Sequence, residues 1–118
     1  MKKILVVDDE KNILKLYEAE LSDEGYNVVT ASSGKEAIEV FQRENPDLVT
    51  LDILMPDMDG IQVLRQIKEM RHNVPVIMLT AYDYRDDFSV WVSDAYVVKS
   101  SDLGNLKNTI KKILEKIS

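Results

Sequence analysis

The chain reads as an α/β domain, a doubly wound five-stranded parallel sheet of order 2-1-3-4-5. Three observations predict this. Short, almost wholly apolar runs recur at 4–7, 48–51 and 76–79, the pattern of strands covered on both faces. Between them, apolar residues recur at helical spacing among lysines and glutamates. Strand and helix alternate along the chain, and right-handed crossovers leave few topologies for such a series. For five units the order 2-1-3-4-5 is the natural choice. It opens a ligand crevice between strands 1 and 3 at their carboxyl ends.

Each element has its own signals. Ile4-Leu5-Val6-Val7 is the first strand, ended by Asp8-Asp9. Ile13, Leu14, Tyr17 and Leu21 stripe a helix that Gly25 closes, before a short strand at Val28-Val29. Ser32 or Ser33 caps the next helix, whose Ala37, Ile38 and Phe41 share a face, and Asn45-Pro46 ends it. The third strand stops at Asp52. Pro56, Asp57, Asp59 and Gly60 then turn the chain into a helix carrying Ile61, Val63, Leu64 and Ile67, which ends near His72-Asn73. The fourth strand, 76–79, stops at Thr80-Ala81. Ala95-Tyr96-Val97-Val98 makes the fifth, and Leu103, Leu106, Ile110, Ile113, Leu114 and Ile117 stripe the last helix. The segment 84–92 occupies the place of helix 4, yet it contains no alanine or leucine and draws on weak helix formers. A shortened or irregular helix is expected there, since little apolar surface is available to offset weak propensity.

With 118 residues, 45% hydrophobic and 31% charged, the chain is expected to be a single domain, 1–118, with an ordinary core. A net charge of −6 argues against direct nucleic-acid or anionic-membrane binding and suits a cationic ligand or a basic partner surface. The absence of cysteine excludes disulfides and thiolate chemistry and fits a reducing, cytoplasmic setting. The apolar run around Val74 is broken by Pro75 and is far shorter than the ~18 residues of a membrane span. The opening residues reach two aspartates too soon for a signal peptide.

Asp8, Asp9 and Asp52 end strands 1 and 3, so the topology makes three carboxylates converge. Such a group repels itself strongly without a positive partner, and a hard divalent cation such as Mg²⁺ supplies one. Thr80 and Lys99 end strands 4 and 5 on the same rim. Each residue also has a plain structural explanation. Asp52 can start a turn, Asp8 or Asp9 can cap a helix, Thr80 can cap a turn, and Lys99 can be solvated. Their joint occurrence at four strand ends points to a site. His72 lies in a polar turn and reads as simply exposed.

The motifs Val6-Val7-Asp8-Asp9-Glu10, Leu51-Asp52-Ile53-Leu54-Met55-Pro56 with Asp59-Gly60, Leu79-Thr80-Ala81, and Tyr96 with Lys99 occur in order over nearly the whole chain. In these the sequence resembles the receiver domain of bacterial two-component response regulators, a flavodoxin-like fold. The resemblance implies that Asp52 is the phosphoacceptor. It implies that Asp9, Asp52 and the Leu54 carbonyl bind Mg²⁺, with Asp8 acting partly through water. Thr80 and Lys99 would contact the phosphoryl oxygens, and Tyr96 would be the aromatic switch of a strand 4, helix 4, strand 5, helix 5 surface. The implied partner is a sensor histidine kinase or a histidine phosphotransfer protein. The domain would be regulatory rather than an enzyme, a monomer or a phosphorylation-dependent dimer, with no output domain in this stretch.

Two departures bear on the output face. Ser100 follows Lys99 where the family usually has proline, with a strained cis Lys99-Ser100 bond the expectation, and the stretch between Thr80 and Lys99 is short by roughly one helical turn. Three rival readings fit less well. A flavin-binding electron carrier needs a phosphate cradle where Asp8-Asp9 stand. An aspartate-nucleophile phosphohydrolase wants an acid/base carboxylate where Leu54 stands. A receiver-like scaffold that is never phosphorylated has no use for the full acidic set.

Overall fold

Five parallel strands form one sheet in the order β2-β1-β3-β4-β5. The computed structural model describes residues 1–52, 60–80, 95–98 and 103–117. In chain order these are β1 (Lys3–Val7), α1 (Lys11–Asp23), β2 (Asn27–Ala31), α2 (Gly34–Glu44), β3 (Leu48–Asp52), α3 (Gly60–Met70), β4 (Val76–Thr80), β5 (Ala95–Val98) and α4 (Gly104–Ile117). The predicted topology and all five strands are present. The expected shortened helix at 84–92 and the Lys99-Ser100 bond lie outside the described residues.

Alternation along the strands splits the core in two. Leu5, Val7, Val49, Leu51, Val76 and Met78 face one way, onto Ala37 and Phe41 of α2 and Val63, Leu64 and Ile67 of α3. Ile4, Val6, Leu48, Ile77, Leu79 and Val97 face the other, onto Leu14, Tyr17 and Leu21 of α1 and Leu106, Ile110 and Leu114 of α4. Each fully buried aliphatic side chain contributes roughly 1.5–3 kcal/mol. Burial on both faces is why these strands read as continuous apolar runs.

The helix ends follow the sequence signals, with one correction. Gly25 adopts φ +94 just beyond α1, and its N–H donates to the Ser22 carbonyl at 3.0 Å. Ser33 caps α2, its Oγ accepting the Glu36 N–H at 3.1 Å, while the Glu36 carboxylate accepts the Ser32 N–H at 2.7 Å. Asn45 closes α2 in the left-handed conformation, φ 49. Capping of α1 by Asp8 or Asp9 is not what the structure shows. The N-cap is Glu10, which makes no side-chain capping bond. The Asp8 carboxylate instead accepts the Glu10 N–H at 3.0 Å, one step before the helix begins. Replacing Ser33 with alanine is expected to lower stability by about 1 kcal/mol, read as a lower urea midpoint at unchanged slope.

Two devices fix the amino-terminal edge of the sheet. The Lys3 N–H donates to the Asp47 carboxylate at 2.7 Å and the Asp47 N–H donates to the Lys3 carbonyl at 2.7 Å, pinning β1 to the start of β3. The Lys3 ammonium also meets Glu44 at 3.1 Å, and that bond, with Arg43, holds the Glu44 carboxyl below its usual range. Arg71, just past α3, donates to the Asn45 side-chain oxygen and to the Pro46 carbonyl, and its guanidinium lies 5.0 Å from the Phe41 ring centroid. Burial lowers the Arg71 pKa, and the Asp47 charge opposes that shift. α3 is thus tied back to the loop that leads into β3.

Candidate functional site

The register that starts at Lys3 and Asp47 carries through to the opposite rim. Val7 stands beside Leu51. The residues that follow, Asp8 and Asp52, therefore come level at adjacent strand ends. Asp8 is held there as its N–H continues the ladder to the Ala31 carbonyl at 3.1 Å. Asp9 follows in the turn to α1. One carboxylate oxygen from each of Asp8, Asp9 and Asp52 lies within 4.8 Å of the others. Asp8 is 1% exposed and Asp52 5%, whereas Asp9 is half-buried, so the group opens to solvent on one side.

At that spacing each pair of carboxylates repels by about 3–4 kcal/mol at an effective dielectric constant of ~20. A cation bound among them would offset that repulsion. The donor set is hard oxygen throughout, which fits Mg²⁺ and does not fit a thiophilic or imidazole-seeking metal. This cluster is also the one group of metal-competent side chains among the described residues.

The other predicted residues divide by strand. Leu79 pairs with Asp52, so Thr80, the last residue of β4, stands one residue beyond the level of Asp52 on the neighbouring strand. Tyr96 lies in β5 beside Met78, and Val98 ends that strand beside Thr80. Lys99 is the next residue in the chain. It and Leu54 lie outside the described residues. His72 is exposed, as expected.

Sequence reading passed over Thr50. It is fully buried in β3, two residues before Asp52, and its hydroxyl has no hydrogen-bond partner among the described residues. The available signal was a lone hydroxyl inside an otherwise apolar strand.

Residues 4–111 match the response regulator receiver domain family. The chain is 39% identical over 118 residues to the alkaline phosphatase synthesis transcriptional regulatory protein PhoP of Bacillus subtilis, covering 98% of this chain and 49% of that protein. It is 44% identical over 117 residues to the probable transcriptional regulator ycf27 of Guillardia theta, covering 97% and 46%. The chain therefore spans about half the length of the curated relatives it matches. Among solved structures it is similar to the response regulator protein TrrA of Thermotoga maritima in complex with Mg²⁺–BeF, with 49% identity and a TM-score of 0.91 over 95% of this chain and 98% of that one. Similarity of 49% and a TM-score of 0.91 also holds to the crystal structure of histidine kinase ThkA in complex with TrrA, over 97% and 99%. With the acidic strand ends, the sheet order and the family match in agreement, the chain belongs to the response regulator receiver domains.

Proposed function

We propose that this receiver domain accepts a phosphoryl group on Asp52 from a histidine kinase or histidine phosphotransfer protein, with Mg²⁺ held at the acidic rim. The observation that carries this reading is the convergence of three carboxylates within 4.8 Å at the ends of β1 and β3. The complexes formed by TrrA, one with Mg²⁺–BeF and one with a histidine kinase, support it by similarity.

An Asp52 carboxylate oxygen attacks the phosphorus, the bond to the donor's leaving group breaks, and an acyl phosphate remains. When bound, Mg²⁺ supplies charge neutralisation for the transferring group. Asp9 and Asp52, with the Leu54 carbonyl, would hold it in this reading, and Asp8 would support it through water. Asp52 sits at the end of a strand buried on both faces, so its position is held by rigid backbone. Thr80 and Lys99 receive the new phosphoryl oxygens, which bring roughly −1.5 to −2 charge. Tyr96 then relays the change along β4 and β5 to the output face.

The domain, taken as one receiver unit over 1–118, acts as a switch and loses its phosphoryl group slowly rather than turning over a substrate. Among the described residues no helix is long and apolar enough to cross a membrane, in keeping with a cytoplasmic regulator. Its relatives of about twice the length are transcriptional regulators.

Incubation with acetyl phosphate and Mg²⁺, followed by mass spectrometry, is expected to show one phosphoryl group per chain. None with either acetyl phosphate or a phosphorylated kinase would establish the rival reading, a binding scaffold that is not phosphorylated. Loss of the group should be slow, because the bulky Leu54 and Tyr82 occupy the positions that flank attacking water in this family. Leu54→Asn and Tyr82→Gly are expected to accelerate hydrolysis, and unchanged decay in both would show that water access is not limiting.

A further inference from the structure

We propose that Thr50 is a positioning residue of the acidic site, its hydroxyl bearing on the Asp8–Asp52 pair from one layer below. The inference rests on the Mg²⁺-binding reading above.

The strand registers place Thr50 between Val6 of β1 and Ile77 of β4. By alternation all three face α1 and α4, in the core half that contains Ile4, Val6, Leu48, Ile77 and Leu79. Asp8 comes two residues after Val6, just past β1, and Asp52 two residues after Thr50 on β3, so by alternation they share that face and form the next layer up. Everything beside and below Thr50 on these strands is apolar. The layer above is where the sheet turns polar.

Thr50 is 0% exposed and its hydroxyl is unpartnered among the described residues. Tyr17, also buried in that half of the core, does not reach it. A hydroxyl both donates and accepts, so it can orient an ionised carboxylate by donating to it. The separation of two residues along a strand is about 6.6 Å. One bridging water closes that span between side chains. Carboxylates that ligate a metal are oriented by hydrogen bonds behind them, and losing one weakens metal binding. Asp8 has such a bond from the Glu10 N–H. Thr50 offers one from the buried side of the sheet.

The test compares Thr50→Val, which keeps the shape and deletes the hydroxyl, with Thr50→Ser, which keeps the hydroxyl. Mg²⁺ affinity is measured by calorimetric titration, and melting is followed in metal-free buffer. Thr50→Val is expected to bind Mg²⁺ about two- to tenfold more weakly than the parent, the factor carried by one hydrogen bond of ordinary strength. It should still melt in one cooperative transition without metal, because valine keeps the shape of the buried side chain, which shows that any loss of affinity is not misfolding. Thr50→Ser should retain the parent's affinity. Thr50→Ala, compared with Thr50→Ser, repeats the contrast should the valine variant fold poorly. Equal affinity in the parent, Val and Ala proteins would overturn the proposal. So would a loss in Ser as large as in Val, because packing rather than the hydroxyl would then be responsible. A parent protein that binds no Mg²⁺ would instead overturn the reading on which this one rests.

Discussion

Asp52→Asn is expected to take up no phosphoryl group from acetyl phosphate in the presence of Mg²⁺, under conditions in which the parent protein is expected to gain one. The substitution keeps the side chain's size and shape and removes the nucleophilic oxygen, so a folded variant loses the bond-forming atom and little else. The effect should be all-or-none on the timescale that saturates the parent. Asp8 and Asp9 make the control necessary, since their carboxylates lie within 4.8 Å of Asp52. A variant that still gains the same mass would move the acceptor to one of these neighbours, and peptide mapping would say which. Matching melting curves for the two proteins exclude misfolding as the cause.

Mg²⁺ should raise the melting temperature of the parent protein, and Asp9→Ala should abolish most of that rise. A cation that binds only the folded state stabilises it by mass action. At ten times its dissociation constant the gain is about 1.4 kcal/mol, or roughly 5 °C for a domain of this size. The fold should require no metal, because both halves of its core are built from apolar contacts. Asp9→Ala should melt at least as high as the parent in metal-free buffer, since one of three mutually repelling charges is gone. A melting temperature indifferent to millimolar Mg²⁺ in the parent would remove the cation from the site. A full Mg²⁺ response in Asp9→Ala would remove Asp9 from the ligands.

The acidic site was legible from strand ends. Once 4–7 and 48–51 are read as parallel neighbours, Asp8, Asp9 and Asp52 have nowhere to go but one rim. Caps were legible where the signal is local, as at Ser33, Gly25 and Asn45. The start of α1 was not, because Asp8 spends its oxygen on the Glu10 N–H, a choice set by the turn and the ladder bond to Ala31. Thr50 escaped because a single hydroxyl hardly lowers the apolar character of a strand, and its lack of a partner among the described residues exists only in three dimensions. Arg71 reads in the sequence as one more surface charge. Its contacts with Phe41, Asn45 and Pro46 join residues 25 to 30 positions apart, beyond any local pattern.

That arginine closes a ring. From Asn45 the chain runs through β3, past Asp52, along α3 and back to Asn45 through the guanidinium, so 27 residues form a loop sealed without a covalent bond. While those bonds hold, the amino end of β3 and the carboxyl end of α3 cannot separate, although the tie, unlike a disulfide, places no constraint on the unfolded chain. The carboxyl end of β3 and the amino end of α3 are therefore carried on two posts that are fastened to each other at the opposite pole of the sheet. In such an arrangement the chemistry of the rim can vary while the frame beneath it stays the same.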